Sequence, residues 1–217
     1  MMELIYLHGF ASGPQSNKAR FFRDRFAERG LPVSVPDLAG GDFEHLTITR
    51  QLDVVARAAG RRPVTVVGSS LGGYLAALYA ARHPEVQRLV LMAPAFCFAR
   101  RWPLQSGEEA MAEWRRTGWM KLYHYGYAAD RRLSYDLIED GLKYEDYPKV
   151  SQPTLILHGT LDHTVPVALS EEFIRNEPNA RLALLESGHE LTDVLERLWQ
   201  ETASFLGVEG VPVRTQV

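Results

Sequence analysis

The sequence predicts an α/β protein with a doubly wound, mostly parallel sheet of about six strands. Short and almost wholly apolar runs alternate with longer stretches of helical spacing along the 217 residues. This alternation is typical of strands that are buried on both faces by right-handed crossover helices. The predicted strands are Leu4–Leu7, Val33–Val35, Val64–Val67, Leu89–Met92, Leu155–Leu157 and Leu182–Leu185.

Composition narrows the class of protein further. A chain in which 46% of the residues are hydrophobic can build one domain with a real core. A net charge of -3 offers no basic patch for nucleic acid or for a membrane surface. The single cysteine, Cys97, cannot form an internal disulfide. With no signal-peptide pattern and no apolar run long enough to span a membrane, we expect a cytoplasmic protein.

We expect a single domain over residues 1–207, followed by a loose tail over residues 208–217. The clearest helix comes just before this tail, because its apolar residues recur with a period of three to four and so form one face. These residues are Leu191, Val194, Leu195, Leu198, Trp199, Thr202, Phe205 and Leu206.

One segment, residues 96–147, interrupts the alternation because it contains no convincing strand. It holds 11 of the 22 Phe, Tyr and Trp residues of the chain. We interpret it as a small helical cap insertion over the C-terminal edge of the sheet. Its rings could form an apolar wall above a site or simply pack the insertion onto the domain, and the sequence leaves both possibilities open.

A glycine-rich turn follows the third predicted strand. Residues 68–73 read GSSLGG, which contains the pattern G-x-S-x-G between that strand and a helical stretch over residues 74–81. In this context a tight, strained turn lifts a serine hydroxyl above the sheet, beside helix N–H groups that favour negative charge. Ser70 is the candidate nucleophile. The alternatives are a turn without chemistry, and Ser69, which occupies the variable position of the pattern.

A serine nucleophile needs a base and an acid that orients the base, and on such a sheet the order along the chain is Ser, acid, His. Asp162 lies in the loop after the fifth predicted strand, and His189 lies in the loop after the sixth. Both loops are at the carboxyl edge of the sheet, where ligands bind. We therefore expect His189 to be the general base and Asp162 to orient it, with nearby Asp193 as a first-turn helix residue instead.

Acyl transfer also needs two N–H donors for the developing oxyanion. We expect one from the backbone of Leu71, directly after the nucleophile, and one from Phe10 in the loop after the first strand. We expect no cofactor and no metal. Although His8, His158 and His163 lie near the same edge as His189, their spacing matches no metal-binding pattern.

Taken in order, these motifs resemble the α/β-hydrolase superfamily from Leu4 to Leu206, and the segment from His8 to Lys18 resembles the small YqiA-type bacterial esterases. The motifs are the segments 7–10 (LHGF), 68–73 (GSSLGG), 158–166 (HGTLDHTVP) and 188–189 (GH). The resemblance implies a serine esterase that works through an acyl-enzyme without a cofactor. Segments 68–73 and 158–166 are also similar to the acyl-protein and acyl-glucuronide thioesterase/esterase group, so a thioester substrate stays open beside a small or acyl carboxylic ester.

A further alternative is a binding module that keeps this fold without catalysis, since fold does not imply function. The presence of all three candidate residues, Ser70, Asp162 and His189, favours the enzyme. The sequence does not determine the acyl chain length or the oligomeric state.

Overall fold

A computed structural model of the chain describes residues 2–209. Its strands form a six-stranded sheet and a separate two-stranded sheet. The strands are β1 (Glu3–Leu7), β2 (Val33–Ser34), β3 (Val64–Ser69), β4 (Val86–Met92), β5 (Trp119–His124), β6 (Ala129–Ser134), β7 (Thr154–Gly159) and β8 (Ala180–Leu185). The helices are α1 (Asn17–Ala27), α2 (Ile48–Ala59), α3 (Leu71–Ala80), α4 (Phe98–Ser106), α5 (Glu108–Thr117), α6 (Asp136–Gly141), α7 (Ala168–Asn176) and α8 (Leu195–Leu206).

The six strands predicted from the sequence form one sheet in the order β2-β1-β3-β4-β7-β8, and every neighbouring pair is parallel. The predicted doubly wound parallel sheet is therefore confirmed. The chain moves outward from β1 to β2, crosses back to β3, and then continues in the other direction. The order thus reverses between β1 and β3, and the crevice outside the carboxyl ends of such a pair is where open α/β sheets bind ligands.

Two apolar layers cover the sheet. On one face, α1 and α8 contribute Phe22, Phe26 and Trp199, which are buried against one another and against the strands. On the other face, α2 and α3 cover the sheet, and every residue of α3 is buried. The predicted C-terminal helix is α8, which begins at Leu195 after a short 3₁₀ turn over Thr192–Val194.

The insertion at residues 96–147 is not wholly helical, so that part of the prediction is wrong. Besides α4, α5 and α6 it contains an antiparallel hairpin, in which β5 pairs with β6. The hairpin is hard to recognise because one side of it faces solvent and carries charged residues, including Lys121, which forms an ion pair with Asp130. It therefore lacks the continuous apolar run of a strand buried on both faces.

The end of the domain also differs from the expectation. Val208 is buried, its N–H donates to the Ala203 carbonyl at 2.9 Å, and its own carbonyl accepts from Arg29. The expected loose tail therefore does not begin at residue 208, and residues 210–217 lie outside the described residues. Within residues 2–209, none of the helices has both the length and the apolar character needed to cross a bilayer.

Candidate active site

Ser70 lies on a strained turn between β3 and α3. Its φ of 54° and ψ of -119° fall in a region that few residues other than glycine adopt. The strain is accommodated because the neighbouring glycines allow very close packing. A Cβ at Gly72 would lie 2.2 Å from the Leu7 carbonyl oxygen, and a Cβ at Gly68 would lie 2.4 Å from the Gly72 carbonyl oxygen. Only glycine fits at either position.

The structure brings the three candidate residues into one hydrogen-bonded chain. His189 Nε2 lies 3.0 Å from Ser70 Oγ, and His189 Nδ1 lies 2.7 Å from Asp162 Oδ2. The Asp162 side chain is completely buried and the imidazole is 14% exposed. Both separations are within hydrogen-bond reach of a base between a nucleophile and an orienting acid.

Asp162 is surrounded by donors. Its Oδ1 accepts the backbone N–H groups of Thr164 at 2.9 Å and Val165 at 2.8 Å. Burial alone would raise the pKa of Asp162, but hydrogen bonds from His158, His189 and the Val165 N–H together lower this pKa well below its usual range. The carboxylate is therefore ionised at neutral pH and can stabilise a charged imidazole.

His158 is a supporting residue that sequence reasoning did not assign to the site. It is completely buried, with Nε2 2.8 Å from the Val165 carbonyl oxygen and 3.2 Å from Asp162 Oδ2, while Nδ1 lies 2.7 Å from Ser170 Oγ. A neutral ring with its proton on Nε2 satisfies these contacts, since Ser170 can then donate to Nδ1. The feature of the sequence that pointed to this role was the position of His158, near the end of β7 and four residues before Asp162.

Asp193 does not contact the His189 ring in the described structure. Asp193 belongs to the 3₁₀ turn that precedes α8, and its carboxylate accepts a hydrogen bond from the Ser187 hydroxyl instead. Asp162, rather than Asp193, is therefore the carboxylate beside the His189 ring, as expected.

The sheet brings together the two segments that carry the expected oxyanion donors, which are Phe10 in the loop after β1 and Leu71 at the start of α3. Leu7 is in register with Gly68, so the loop after β1 lies beside the Ser70 turn, and a Cβ at Gly9 would lie 3.5 Å from Ser70 Cβ. Neither the Phe10 nor the Leu71 N–H has a hydrogen-bond acceptor within residues 2–209. Both donors are therefore available to an acceptor near the serine.

A buried histidine, His8, anchors the loop after β1. His8 Nε2 accepts the Leu38 N–H at 3.2 Å, and Nδ1 lies 3.0 Å from the Gly9 carbonyl oxygen. Burial lowers the pKa of His8, so the ring is neutral and carries its proton on Nδ1. His8 therefore acts as a structural support for the loop.

A cavity of about 1050 Å³ opens above the serine. It is lined by Ser70, His189, the loop at residues 9–18 and the tip of the β5–β6 hairpin. The hairpin is attached to this loop, because the Tyr125 N–H donates to the Ala11 carbonyl at 2.8 Å. Of the aromatic rings in the insertion, Tyr125 and Tyr127 line the cavity.

Most other rings of the insertion pack against the hydrophobic core. Trp114 is buried and donates its indole N–H to the Leu133 carbonyl, while Trp102 packs edge-on against the Phe10 ring at 5.3 Å. The packing interpretation thus describes these residues. Within residues 2–209, no group of three or more His, Cys, Asp or Glu side chains is arranged to hold a metal ion.

The architecture defines the class of protein, an α/β-hydrolase fold, and the candidate site has the arrangement that serine hydrolases use. The fold is shared with alpha/beta hydrolase domain-containing protein 10 from mouse (TM-score 0.77, 22% identity, covering 94% of this chain and 89% of that one). It is also shared with Est1E from Butyrivibrio proteoclasticus bound to ferulic acid (TM-score 0.72, 20% identity, covering 95% and 90%).

Within that class, the chain belongs to the uncharacterised protein family UPF0227, whose model matches residues 3–206. A curated relative is the pimeloyl-[acyl-carrier protein] methyl ester esterase of Nitrosomonas europaea, which is 29% identical over an alignment 231 positions long. The match covers 86% of this chain and 88% of that relative.

Proposed function

We propose that this protein is a carboxylesterase-type serine hydrolase that cleaves the ester of a small or acyl substrate through an acyl-enzyme. The observation that carries the proposal is the hydrogen-bonded chain from Ser70 Oγ through His189 to the ionised Asp162. The name of the Nitrosomonas relative supports an ester as the scissile group. We further propose a cytoplasmic location, in keeping with the single free cysteine.

In the acylation half-reaction, the Ser70 hydroxyl proton moves to His189 Nε2 while Oγ bonds to the ester carbonyl carbon. The resulting oxyanion is stabilised by the N–H groups of Phe10 and Leu71. Asp162 holds the imidazole in the reactive tautomer and stabilises the imidazolium. The imidazolium then returns its proton to the leaving alkoxide oxygen as the carbon–oxygen bond breaks, so an alcohol departs and an ester to Ser70 remains.

Deacylation repeats these steps with water as the nucleophile. His189 removes a proton from the water as its oxygen bonds to the acyl carbon, and the second oxyanion occupies the same donor pair. Collapse of this intermediate breaks the bond to Ser70, and the imidazolium returns the proton to Oγ. The products are a carboxylic acid and the free enzyme, so no cofactor enters the balance.

The experiment is labelling with a fluorophosphonate probe beside hydrolysis of p-nitrophenyl butyrate. Wild type should be labelled, and Ser70→Ala should lose labelling and at least about 10⁴-fold in kcat, as loss of a nucleophile does. Ser69→Ala is the matched control, because it removes the adjacent hydroxyl and should keep the label. A folded wild type that neither reacts nor hydrolyses esters would instead indicate a binding module.

Ester and thioester substrates are compared on the same preparations. Hydrolysis of butyryl-CoA with a higher kcat/KM than that of p-nitrophenyl butyrate would replace the ester proposal with the thioesterase alternative. The roles of Ser70, His189 and Asp162 would be the same in either case, because both substrates react through an acyl-enzyme.

A further inference from the structure

Lys18 combines features that a lysine rarely has. It is only 8% exposed. Lysine is rarely buried in this way unless an oppositely charged group pairs with it. No carboxylate within residues 2–209 lies within 4.0 Å of its ammonium group. It is also the second residue of α1, where the helix dipole disfavours a positive charge.

The ammonium group of Lys18 makes one short contact, and this contact is next to the base. Nζ donates to the backbone carbonyl of Glu190 at 2.6 Å, across 172 positions of sequence. Glu190 directly follows His189, so the bond is attached to the loop that carries the imidazole. Both Lys18 and His189 line the cavity above Ser70.

Within residues 2–209, the two halves of the loop that carries His189 are held by different contacts. Its first half is held by backbone bonds to the loop after β7, because the Leu185 carbonyl accepts from Thr160 and the Ser187 carbonyl accepts from Leu161. Over residues 189–191, however, Lys18 is the one side chain in the described structure that donates to the backbone. The loop then turns through Leu191, whose φ of 54° is strained.

We propose, on the basis of the function proposed above, that Lys18 is a positioning residue for the general base. Its ammonium group holds the Glu190 carbonyl, and this fixes His189 at 3.0 Å from Ser70 Oγ. The proposal explains why a cation is retained in an unfavourable place. Hydrophobic packing alone would be served better by an apolar side chain of the same length.

The test uses Lys18→Met, which removes the ammonium donor and leaves an unbranched apolar side chain that is one atom shorter. Displacement of a catalytic group by about 1 Å costs up to 10²-fold, so kcat for p-nitrophenyl butyrate should fall about 10- to 100-fold. KM should change by less than about twofold, because no contact to this neutral substrate is lost. Arg20→Met is the matched control, since Arg20 lies on the same helix, is exposed and bonds Asn17.

Two readouts separate positioning from a merely structural role. The second-order rate of fluorophosphonate labelling should fall by the same factor as kcat, since that reaction needs the Ser70–His189 pair but no natural substrate. The midpoint of urea unfolding should stay at or above the wild-type value, because an apolar replacement relieves the burial of a charge. If Lys18→Met does not fold, Lys18→Gln carries the test, as its amide is too short to reach Glu190.

The results also separate this proposal from the proposed function. If wild type is not labelled, the proposed function fails; if Lys18→Met or Lys18→Gln folds and is labelled at the wild-type rate, only the positioning role fails. A different loss would point to substrate binding by Lys18. In that case Lys18→Met would raise KM only for mono-4-nitrophenyl adipate, because the ammonium group can bind the free carboxylate of this substrate. The rate of fluorophosphonate labelling would be unchanged, and this result would overturn the positioning role.

Discussion

At the scale of single residues, the site depends on buried polar groups that satisfy one another. Asp162 accepts from two backbone N–H groups and from two histidines, and His158 is in turn held by Ser170. Such a network fixes orientation because each unpaired member would carry a large desolvation cost. The geometry at Ser70 is therefore set by residues that do not touch it.

Asp162→Asn tests this network through both activity and stability. An asparagine holds the imidazole in the wrong tautomer, so kcat should fall by about 10⁴-fold. The folded pKa of Asp162 is lowered below its ordinary 3.8, so its stabilising contribution is present above that pH and is lost as the pH falls through and below it. The difference in unfolding free energy between wild type and Asp162→Asn should shrink from pH 6 to pH 3.

Urea unfolding at the two pH values measures this difference. Asp24→Asn serves as the control, because Asp24 is an exposed carboxylate on α1 and its replacement should leave the pH dependence of wild type in place. A gap between wild type and Asp162→Asn that stays constant from pH 6 to pH 3 would contradict an ionised, hydrogen-bonded Asp162.

At the scale of elements, strand register positions the site. The pairing of Leu7 with Gly68 brings the loop after β1 against the Ser70 turn, and β7 and β8 bring the loops of Asp162 and His189 to the same edge. The close contact of β1 with α3 depends on Gly72 having no side chain. The turn therefore fixes the packing of β1 against α3 as well as the position of the candidate nucleophile.

Gly72→Ala should destabilise the fold by more than about 3 kcal/mol, because its Cβ would overlap backbone atoms that cannot move aside. Denaturant unfolding measures the loss. Gly13→Ala is the comparison, because the φ of Gly13 lies outside the left-handed region and nothing lies nearer than 4.0 Å to an added Cβ. Equal stability of the two variants would show that the turn tolerates a side chain and that the steric argument fails.

We expect the tip of the β5–β6 hairpin to help select among acyl groups. Tyr125 and Tyr127 line the cavity with Ser70, so replacing both by alanine should change kcat/KM more for p-nitrophenyl octanoate than for the acetate, by about tenfold. Unfolding stability should change little, because Tyr125 is 77% and Tyr127 43% exposed.

Leu104→Ala tests whether that effect is specific to the cavity. Leu104 lies on α4 of the same insertion and is 81% exposed, but it does not line the cavity. Its replacement should leave the ratio of the octanoate and acetate rates at the wild-type value. If the tyrosine variants kept the wild-type ratio as well, the insertion would have no role in acyl selection.

At the scale of the whole molecule, the cavity lies where the order of the sheet reverses, between β1 and β3, and the tip of the β5–β6 hairpin lines it. The proposed reaction uses only side chains and backbone N–H groups of this one chain. Dialysis against EDTA should therefore leave kcat for p-nitrophenyl butyrate within about 20% of its starting value, and added Zn²⁺ should not raise it, since no Lewis acid takes part. A loss restored by a divalent ion would contradict the mechanism.

The sequence alone determined the central sheet and the candidate residues Ser70, Asp162 and His189, because these features are local. A strand buried on both faces must be apolar throughout, and the GSSLGG turn needs glycine at fixed positions. Asp162 and His189 could be assigned as acid and base because each follows its own predicted strand, in the expected order along the chain.

Only the tertiary structure decided which side chains meet across the chain. Lys18 reaches the Glu190 carbonyl, the Ser187 hydroxyl donates to Asp193, and the insertion forms a hairpin attached to Ala11. The physical reason is that such contacts join residues far apart in sequence or depend on how a partly solvated segment packs. No periodicity within a short window encodes them, because their free energy comes from surroundings that exist only after the sheet has assembled.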